Sequence, residues 1–334
     1  MSSLLMKKAA VLREIKINCS ERICNRPFRR LQHILLITIV MSACVASAER
    51  LKIDDGVWVF LGAGQTVNME NKGRIANIGF IETSRSGILI NAGISHNHAQ
   101  QVLTEISDIS HKKILEAIVI QGDRKFALGA SSLRKSGVTT YAHPKIAIQM
   151  NERCVTCIKH LEDTLGKEMK YTQVDTPRNI AEMELLAHYP LKDIAIIDHG
   201  DTVSQGALMI YHIPSGILFA GDVVFSGIVP SLKEANFDSW KKSLELLQEL
   251  PISAIIPGTG PILTKSAIVT SISYLDALEI NTQNLYSDNQ DLLSATQNGG
   301  LSQFKDWILY NENHANNVMY RYLEIEKNEL SLED

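Results

Sequence analysis

The sequence predicts an α/β protein, a four-layer αββα sandwich with a C-terminal helical extension, and three observations predict it. Short runs of β-branched and aromatic residues, punctuated by glycine and polar turns, follow one another from Leu51 to Asn91. From Ala99 onward, strand-like and helix-like segments alternate. The chain thus has two halves, each a sheet that needs helices to cover it, and stacking sheet on sheet with the helices outside buries both.

Taken in order, Val57-Trp-Val-Phe-Leu61, Ala76-Asn-Ile-Gly-Phe-Ile81 and Gly87-Ile-Leu-Ile-Asn91 predict an antiparallel meander. Ala99 to Ser110 has helical spacing, Ala117-Ile-Val-Ile120 is a fully buried strand, and Ala130 to Lys135 begins another helix. Val138-Thr-Thr-Tyr-Ala142 is a strand. A helix follows from Pro144 to about Leu165, opened by a proline whose missing N–H has no partner to lose in a first turn. Asp193-Ile-Ala-Ile-Ile197, Ala207-Leu-Met-Ile-Tyr-His-Ile213, Gly216-Ile-Leu-Phe219 and Ala254-Ile-Ile-Pro257 are later strands, with a helix over Asp238–Leu250 between the last two. Beyond Thr264 the spacing predicts helices over Ala267–Leu285, Gln303–Leu309 and His314 to about Glu326, and the polar stretch Tyr286–Gly300 carries one short helix. The expected organisation is a leader over 1–48, a main domain over 49–264 and a helical extension of that same domain over 265–334.

The chain has 334 residues, 45% apolar and 21% charged, with a formal net charge of −4, an ordinary globular composition. No basic concentration fit to grip phosphate backbones is present, which excludes nucleic acid as the expected partner. Arg26, Arg29 and Arg30 precede the apolar run Leu31–Val45, and Ala46-Ser-Ala48 closes it. That order of charged, apolar and small residues predicts an export signal cut after Ala48 and a periplasmic or otherwise exported product. Two rival readings share the segment: a tilted membrane tether through residues 31–45, and a lipoprotein box at Met41-Ser-Ala-Cys44. Of the five cysteines, Cys19, Cys24 and Cys44 fall in the leader, which leaves Cys154 and Cys157 as the redox inventory of the exported part.

Five stretches carry a resemblance to a known family: Gly73-Arg-Ile-Ala-Asn-Ile-Gly-Phe80, Gly87-Ile-Leu-Ile-Asn-Ala-Gly93, Leu128-Gly-Ala-Ser-Ser-Leu-Arg-Lys-Ser-Gly137 with Tyr141-Ala-His-Pro144, Gly216-Ile-Leu-Phe-Ala-Gly-Asp-Val-Val-Phe225, and Ile255-Ile-Pro-Gly-Thr-Gly-Pro261. In this order, over most of the chain after residue 50, they resemble the metallo-β-lactamase superfamily, and within it the periplasmic metallohydrolases of quinoprotein-relay and sulfur-oxidation settings. The resemblance implies a hydrolase fold in which two zinc ions share a hydroxide that attacks a carbonyl, phosphoryl or sulfur centre.

The ligands that this chemistry requires are degenerate. Aligned on Gly129, the His-x-His-x-Asp-His motif falls on Gln121-Gly-Asp-Arg-Lys-Phe126, so Gln121 and Asp123 stand for the first pair and Lys125 and Phe126 for the second. Gly200-Asp-Thr-Val-Ser-Gln-Gly206 replaces His-Thr-x-Gly, and Thr259 replaces the histidine of Pro-Gly-His-Gly. Asp222 alone matches its ligand position, and Asn91 replaces the supporting aspartate of the metal loop. An ammonium ~4 Å from a dication at an effective dielectric of ~20 is repelled by roughly 8 kcal/mol, while a complete structural zinc site gains only about 10–16 kcal/mol. The expectation is therefore a metal-free pocket without a cofactor. In it Lys125 takes the place of the metal against Asp123 and Asp222, with Arg124 nearby, and Gln121, Phe126, Asp201 and Thr259 complete the lining.

Three further constellations each have a plainer reading. His96-Asn-His98 could supply a relocated ligand pair, or be two exposed imidazoles at a helix start capped by Ser95. Asp198-His199 could supply a general base with its orienting carboxylate, or be turn chemistry. Cys154-Val-Thr-Cys157 lies about two turns inside a predicted helix, where a disulfide is feasible; its depth argues for a structural bridge or buried thiols over redox catalysis. The expected function is a non-catalytic pseudoenzyme that binds a small molecule or a periplasmic protein in an oxidation pathway. The alternative is a hydrolase with a rebuilt metal site, zinc or another divalent ion, on Asp123, Asp201 and Asp222. A weaker third reading is a thiol–disulfide protein.

Overall fold

In each strand of the two sheets, alternate residues point to opposite faces, and this single periodicity sets the layers. A computed structural model describes residues 49–64, 66–182 and 193–332; the expected export segment over 1–48 lies outside them. Strands β1 (Arg50–Asp54), β2 (Val57–Phe60), β3 (Ile78–Glu82), β4 (Gly87–Ile90), β5 (Ile114–Val119), β6 (Thr139–Ala142) and β7 (Arg178–Asn179) form one sheet in sequence order. It is antiparallel from β1 to β4 and parallel from β4 to β7. Strands β8 (Ile194–Asp198), β9 (Leu208–His212), β10 (Ile217–Gly221) and β11 (Ala254–Pro257) form the second sheet, in the order β11-β10-β9-β8.

The inner faces meet. Val57, Val59, Ile88, Ile90, Ile118 and Ile120 pack against Leu208, Ile210, Ile217, Phe219 and Ile256 in one buried cluster. Contact is close: a Cβ added at Gly79 would stand 2.3 Å from the Phe219 ring, so only glycine fits there. The alternate residues Trp58, Phe60, Phe80, Leu89 and Val119 face outward. They are covered by α1 (His96–Ser107), α3 (Ala130–Lys135) and α4 (Pro144–Leu165) through Val102, Ile106, Leu133, Ile146, Met150 and Leu161. On the other side, Met209, Tyr211, Leu218 and Ile255 are covered by α5 (Phe237–Leu247) and α6 (Ser266–Ser287) through Trp240, Leu244, Tyr274 and Leu278. The αββα sandwich is the observed architecture.

Between α1 and α3 lies a one-turn helix, α2 (Arg124–Ala127), capped by Asp123, whose side chain accepts from the Lys125 N–H. After α6 come α7 (Leu292–Asn298) and α8 (Tyr310–Leu332). Ile268, Leu275 and Val318 share the apolar cluster of the second sheet, so the C-terminal helices complete its cover. The helix expected over Gln303–Leu309 is absent; a 3-10 turn spans Ser302–Phe304 instead. Leu309 takes φ +61°, which ends any right-handed helix there, and Ile308 pairs with Ile228 as an isolated bridge. Among the described residues no helix is long and apolar enough to cross a membrane.

Candidate functional site

Three loops converge at one edge of the two sheets. The first follows β5 and carries Gln121, Asp123 and Lys125; the second follows β10 and carries Asp222; the third follows β11 and carries Thr259. They are fastened to one another before any functional group enters. Gln121 accepts from the Asp222 N–H at 2.7 Å, and Gly258 donates to the Gly221 carbonyl at 2.7 Å. Asn77 donates to the carbonyls of Pro257 and Gly260 at 2.8 and 2.9 Å and accepts from the Gly62 N–H at 2.9 Å, so one buried amide fixes both flanks of Thr259. Asn91, in the left-handed region at φ +73°, accepts from the Ile120 N–H at 3.3 Å and donates to the Asn77 carbonyl at 3.4 Å. Asn77 stands inside the Gly73–Phe80 stretch, where the sequence alone does not mark it as a site residue.

At the convergence Lys125 Nζ lies 2.7 Å from Asp222 Oδ2 and donates to Thr259 Oγ1 at 3.1 Å. The ammonium also sits 4.8 Å from the centroid of the Phe126 ring, which is fully buried beneath it. Burial works against the charged ammonium, but Asp222 and Asp123 outweigh it and hold Lys125 above the ordinary lysine value. Burial also raises Asp222, and Lys125 offsets only part of that. The pair is thus held by mutual attraction in a poorly solvated place where neither charge is stable alone.

These residues border a cavity of about 600 Å³. Its walls include Arg124, Gln149, Arg153, Cys154 and Cys157 on one side and Ser204, Phe225, Lys233 and Glu234 on the other. Arg153 reaches across to Glu234 at 2.7 Å.

The expected lining residues divide. Gln121, Asp123, Lys125, Asp222 and Thr259 line this cavity, while Phe126 is buried below it and Asp201 is not among its walls. Asp201 is held elsewhere by two contacts to Lys145 Nζ at 2.7 and 2.8 Å and by the Gly206 N–H at 3.0 Å, and the Lys145 hydrogen bond draws its carboxyl below the usual range. The oxygen-ligand set Asp123, Asp201 and Asp222 is therefore not assembled. Among the described residues no three His, Cys, Asp or Glu side chains converge as a metal-ligating group. The donors present do not fit zinc: the Gln121 oxygen and one Asp222 oxygen are engaged by an N–H and an ammonium, Phe126 offers no donor, and Thr259 accepts from Lys125.

The two histidine constellations take structural roles. Ser95 caps α1 as expected, accepting from the His98 N–H at 3.1 Å, but His98 is buried rather than exposed. Its Nδ1 faces the Ile94 N–H at 3.5 Å, and burial, with Arg74 nearby, lowers it to about 3. His96 packs edge-on against Tyr171. Asp198 accepts from the Gly200 N–H within its own turn, and His199 bonds Ser243 at 2.7 Å, so the two form no base-and-orienter pair. Cys154 and Cys157 are free thiols, not a disulfide.

Compared by sequence, the chain matches no family model and no curated protein. Compared by structure, it matches a metallo-beta-lactamase from Pontibacter korlensis with a TM-score of 0.52 and 18% identity, over 68% of this chain and 98% of that one. The metallo-beta-lactamase FIM-1 from Pseudomonas aeruginosa, in its mono-zinc form, matches at 0.54 and 19%, over 68% and 94%. A metallo-beta-lactamase from Hirschia baltica matches at 0.54 and 19%, over 68% and 96%. The chain has the metallo-β-lactamase fold.

Two outcomes follow from this geometry. Lys125→Met strands the Asp222 carboxylate and destabilises the protein by about 2–4 kcal/mol at neutral pH in urea unfolding, while adding Asp222→Asn to it recovers much of the loss. Equal stability of the single and double variants would show that the pair carries no energy. For His98, the unfolded imidazole binds a proton near 6.5 and the folded one only near 3, so the unfolded state holds more protons and stability falls as pH drops through that window. By pH 4.5 the wild type should lose about 2–3 kcal/mol more than His98→Gln in the same measurement; parallel pH profiles would contradict this.

Proposed function

We propose that this chain is an exported protein of the metallo-β-lactamase fold whose zinc site has been given up, and that it works as a non-catalytic binder of a small molecule or a periplasmic protein. The observation that carries the reading is the 2.7 Å contact between Lys125 and Asp222. An internal cation satisfies the one carboxylate that the resemblance assigns to a metal, with Thr259 as a further acceptor. A divalent ion entering there would have to expel the ammonium or sit beside it against roughly 8 kcal/mol of repulsion. Hydrolysis by this fold needs a metal-bound hydroxide, and among the described residues that line the cavity none supplies an equivalent nucleophile with a base beside it.

What remains is a cavity with an apolar wall and a few charged groups that are largely paired, Lys125 with Asp222 and Arg153 with Glu234. Such a lining suits a zwitterion or a small anion that can share the Lys125 ammonium. The leader pattern before Ala48 and the motif resemblance to quinoprotein-relay and sulfur-oxidation metallohydrolases point to a periplasmic oxidation pathway as the setting.

The test is elemental analysis of the purified full chain after incubation with excess zinc and exhaustive dialysis. The reading expects zinc, iron and manganese far below one equivalent, with no hydrolysis of β-lactam, thioester or phosphodiester probes. One equivalent or more of retained metal, or metal-dependent turnover of any of these probes, would overturn it.

A further inference from the structure

Cys154 and Cys157 stand one turn apart on α4, both free and both in the wall of the cavity described above. Their surroundings differ. Cys154 is 2% exposed and belongs to the apolar cluster under the first sheet, while Cys157 is half-buried and only packs against that cluster. Burial first, then the neighbouring Cys157, pushes the Cys154 thiol up to about 12. Arg153 lies within electrostatic reach of Cys157 while it pairs with Glu234. Once the Lys125–Asp222 and Arg153–Glu234 pairs are set against each other, Arg124 and Lys233 outnumber Asp123 along the same cavity, which leaves an excess of positive charge in front of the thiols.

We propose that Cys154 and Cys157 form a thiol–disulfide exchange site for a small anionic disulfide admitted by this cavity, with Cys157 attacking and Cys154 resolving. The Cys157 thiolate attacks one sulfur of R–S–S–R, forming a mixed disulfide and releasing one RS⁻. The Cys154 thiolate then attacks Cys157 Sγ, forming the internal disulfide and releasing the second RS⁻. The two thiol protons pass through solvent to the two leaving thiolates, so one small disulfide is reduced to two thiols while the protein dithiol is oxidised by two electrons. Residues three apart on a helix have Cα atoms about 5 Å apart, inside the disulfide range, but Cβ atoms about 5–6 Å apart, so closing the bridge draws in this turn of α4. The order of attack follows exposure: the half-buried sulfur faces the incoming ligand, and the enclosed one meets only its neighbour. This site does not depend on what occupies the metal position; retained zinc would sink the pseudoenzyme reading and leave the thiol result untouched.

The experiment uses the full chain, reduced and desalted without oxygen, with glutathione disulfide as the anionic probe and cystamine as the cationic one. Trypsin cleaves after Arg153 and Lys159, so mass spectrometry of the peptide Cys154–Lys159 reads this pair apart from the other cysteines. With glutathione disulfide the peptide should lose two hydrogens and retain no glutathione. Cys154→Ser should stop at glutathione bound to Cys157, and Cys157→Ser should slow the reaction at least about tenfold. With each rate taken relative to that of the urea-unfolded chain, glutathione disulfide should outpace cystamine about tenfold. Cys154→Ala serves if the serine variant does not fold. A peptide that stays reduced in the folded chain, a Cys157→Ser variant that reacts at the wild-type rate through Cys154, or equal relative rates for the two probes would each overturn the proposal.

Discussion

The ammonium of Lys125 joins loops from both sheets: it starts on the short helix after β5, meets the carboxylate after β10 and donates to the hydroxyl after β11. A cation at such a junction is expected from charge balance alone, because Asp123 and Asp222 are brought to one sheet edge and burial leaves Asp222 poorly solvated. Lysine answers that demand with a covalently attached charge. The consequence is a junction complete within the chain, whose carboxylate is not left waiting for an ion.

The surrounding amides show how the loops keep their course. Gln121 holds the Asp222 backbone, Asn91 holds the strand end beside Gln121, and Asn77 holds the Pro257–Gly260 turn. Each is nearly or fully enclosed, so each hydrogen bond exchanges a buried backbone group's loss of water for a protein partner. Gly221 and Gly258 permit this closeness: a Cβ at Gly221 would stand 2.2 Å from the Gln121 oxygen, and one at Gly258 would stand 2.3 Å from Asp222 Oδ1. The small residues in the quoted motifs are there for the approach of backbones, which is independent of whether a metal binds.

Much of the fold was legible because the sheets obey the two-residue period strictly. Val57 and Val59 face the second sheet while Trp58 and Phe60 face the helices, and Leu208 and Ile210 separate from Met209 and Tyr211 in the same way. Where tertiary position overrides local pattern, sequence and structure part. The Gln303–Leu309 segment has helical composition, yet Ile308 pairs with Ile228 and Leu309 turns left-handed. At the site, Lys125, Asp222 and Thr259 were legible as a set because motif order fixes which loop ends meet. Asp201 was not, since nothing in its own segment reveals that Lys145 draws it out of the cavity. Asn77 has no local mark that separates it from a turn asparagine, and its partners lie 180 and 183 residues on and 15 residues back. The place of the thiols in the cavity wall was likewise invisible until α4 was set against the loop that carries Glu234.

If the Lys125 ammonium fills the position proposed for a divalent ion, heteronuclear NMR of the lysine Nζ groups observes it directly. With the chain uniformly labelled and assigned through Lys125→Arg, the account predicts a slowly exchanging, hydrogen-bonded Lys125 signal that is unmoved by stoichiometric zinc. A Lys125 signal that exchanges as fast as those of surface lysines, or one that zinc displaces, would contradict it.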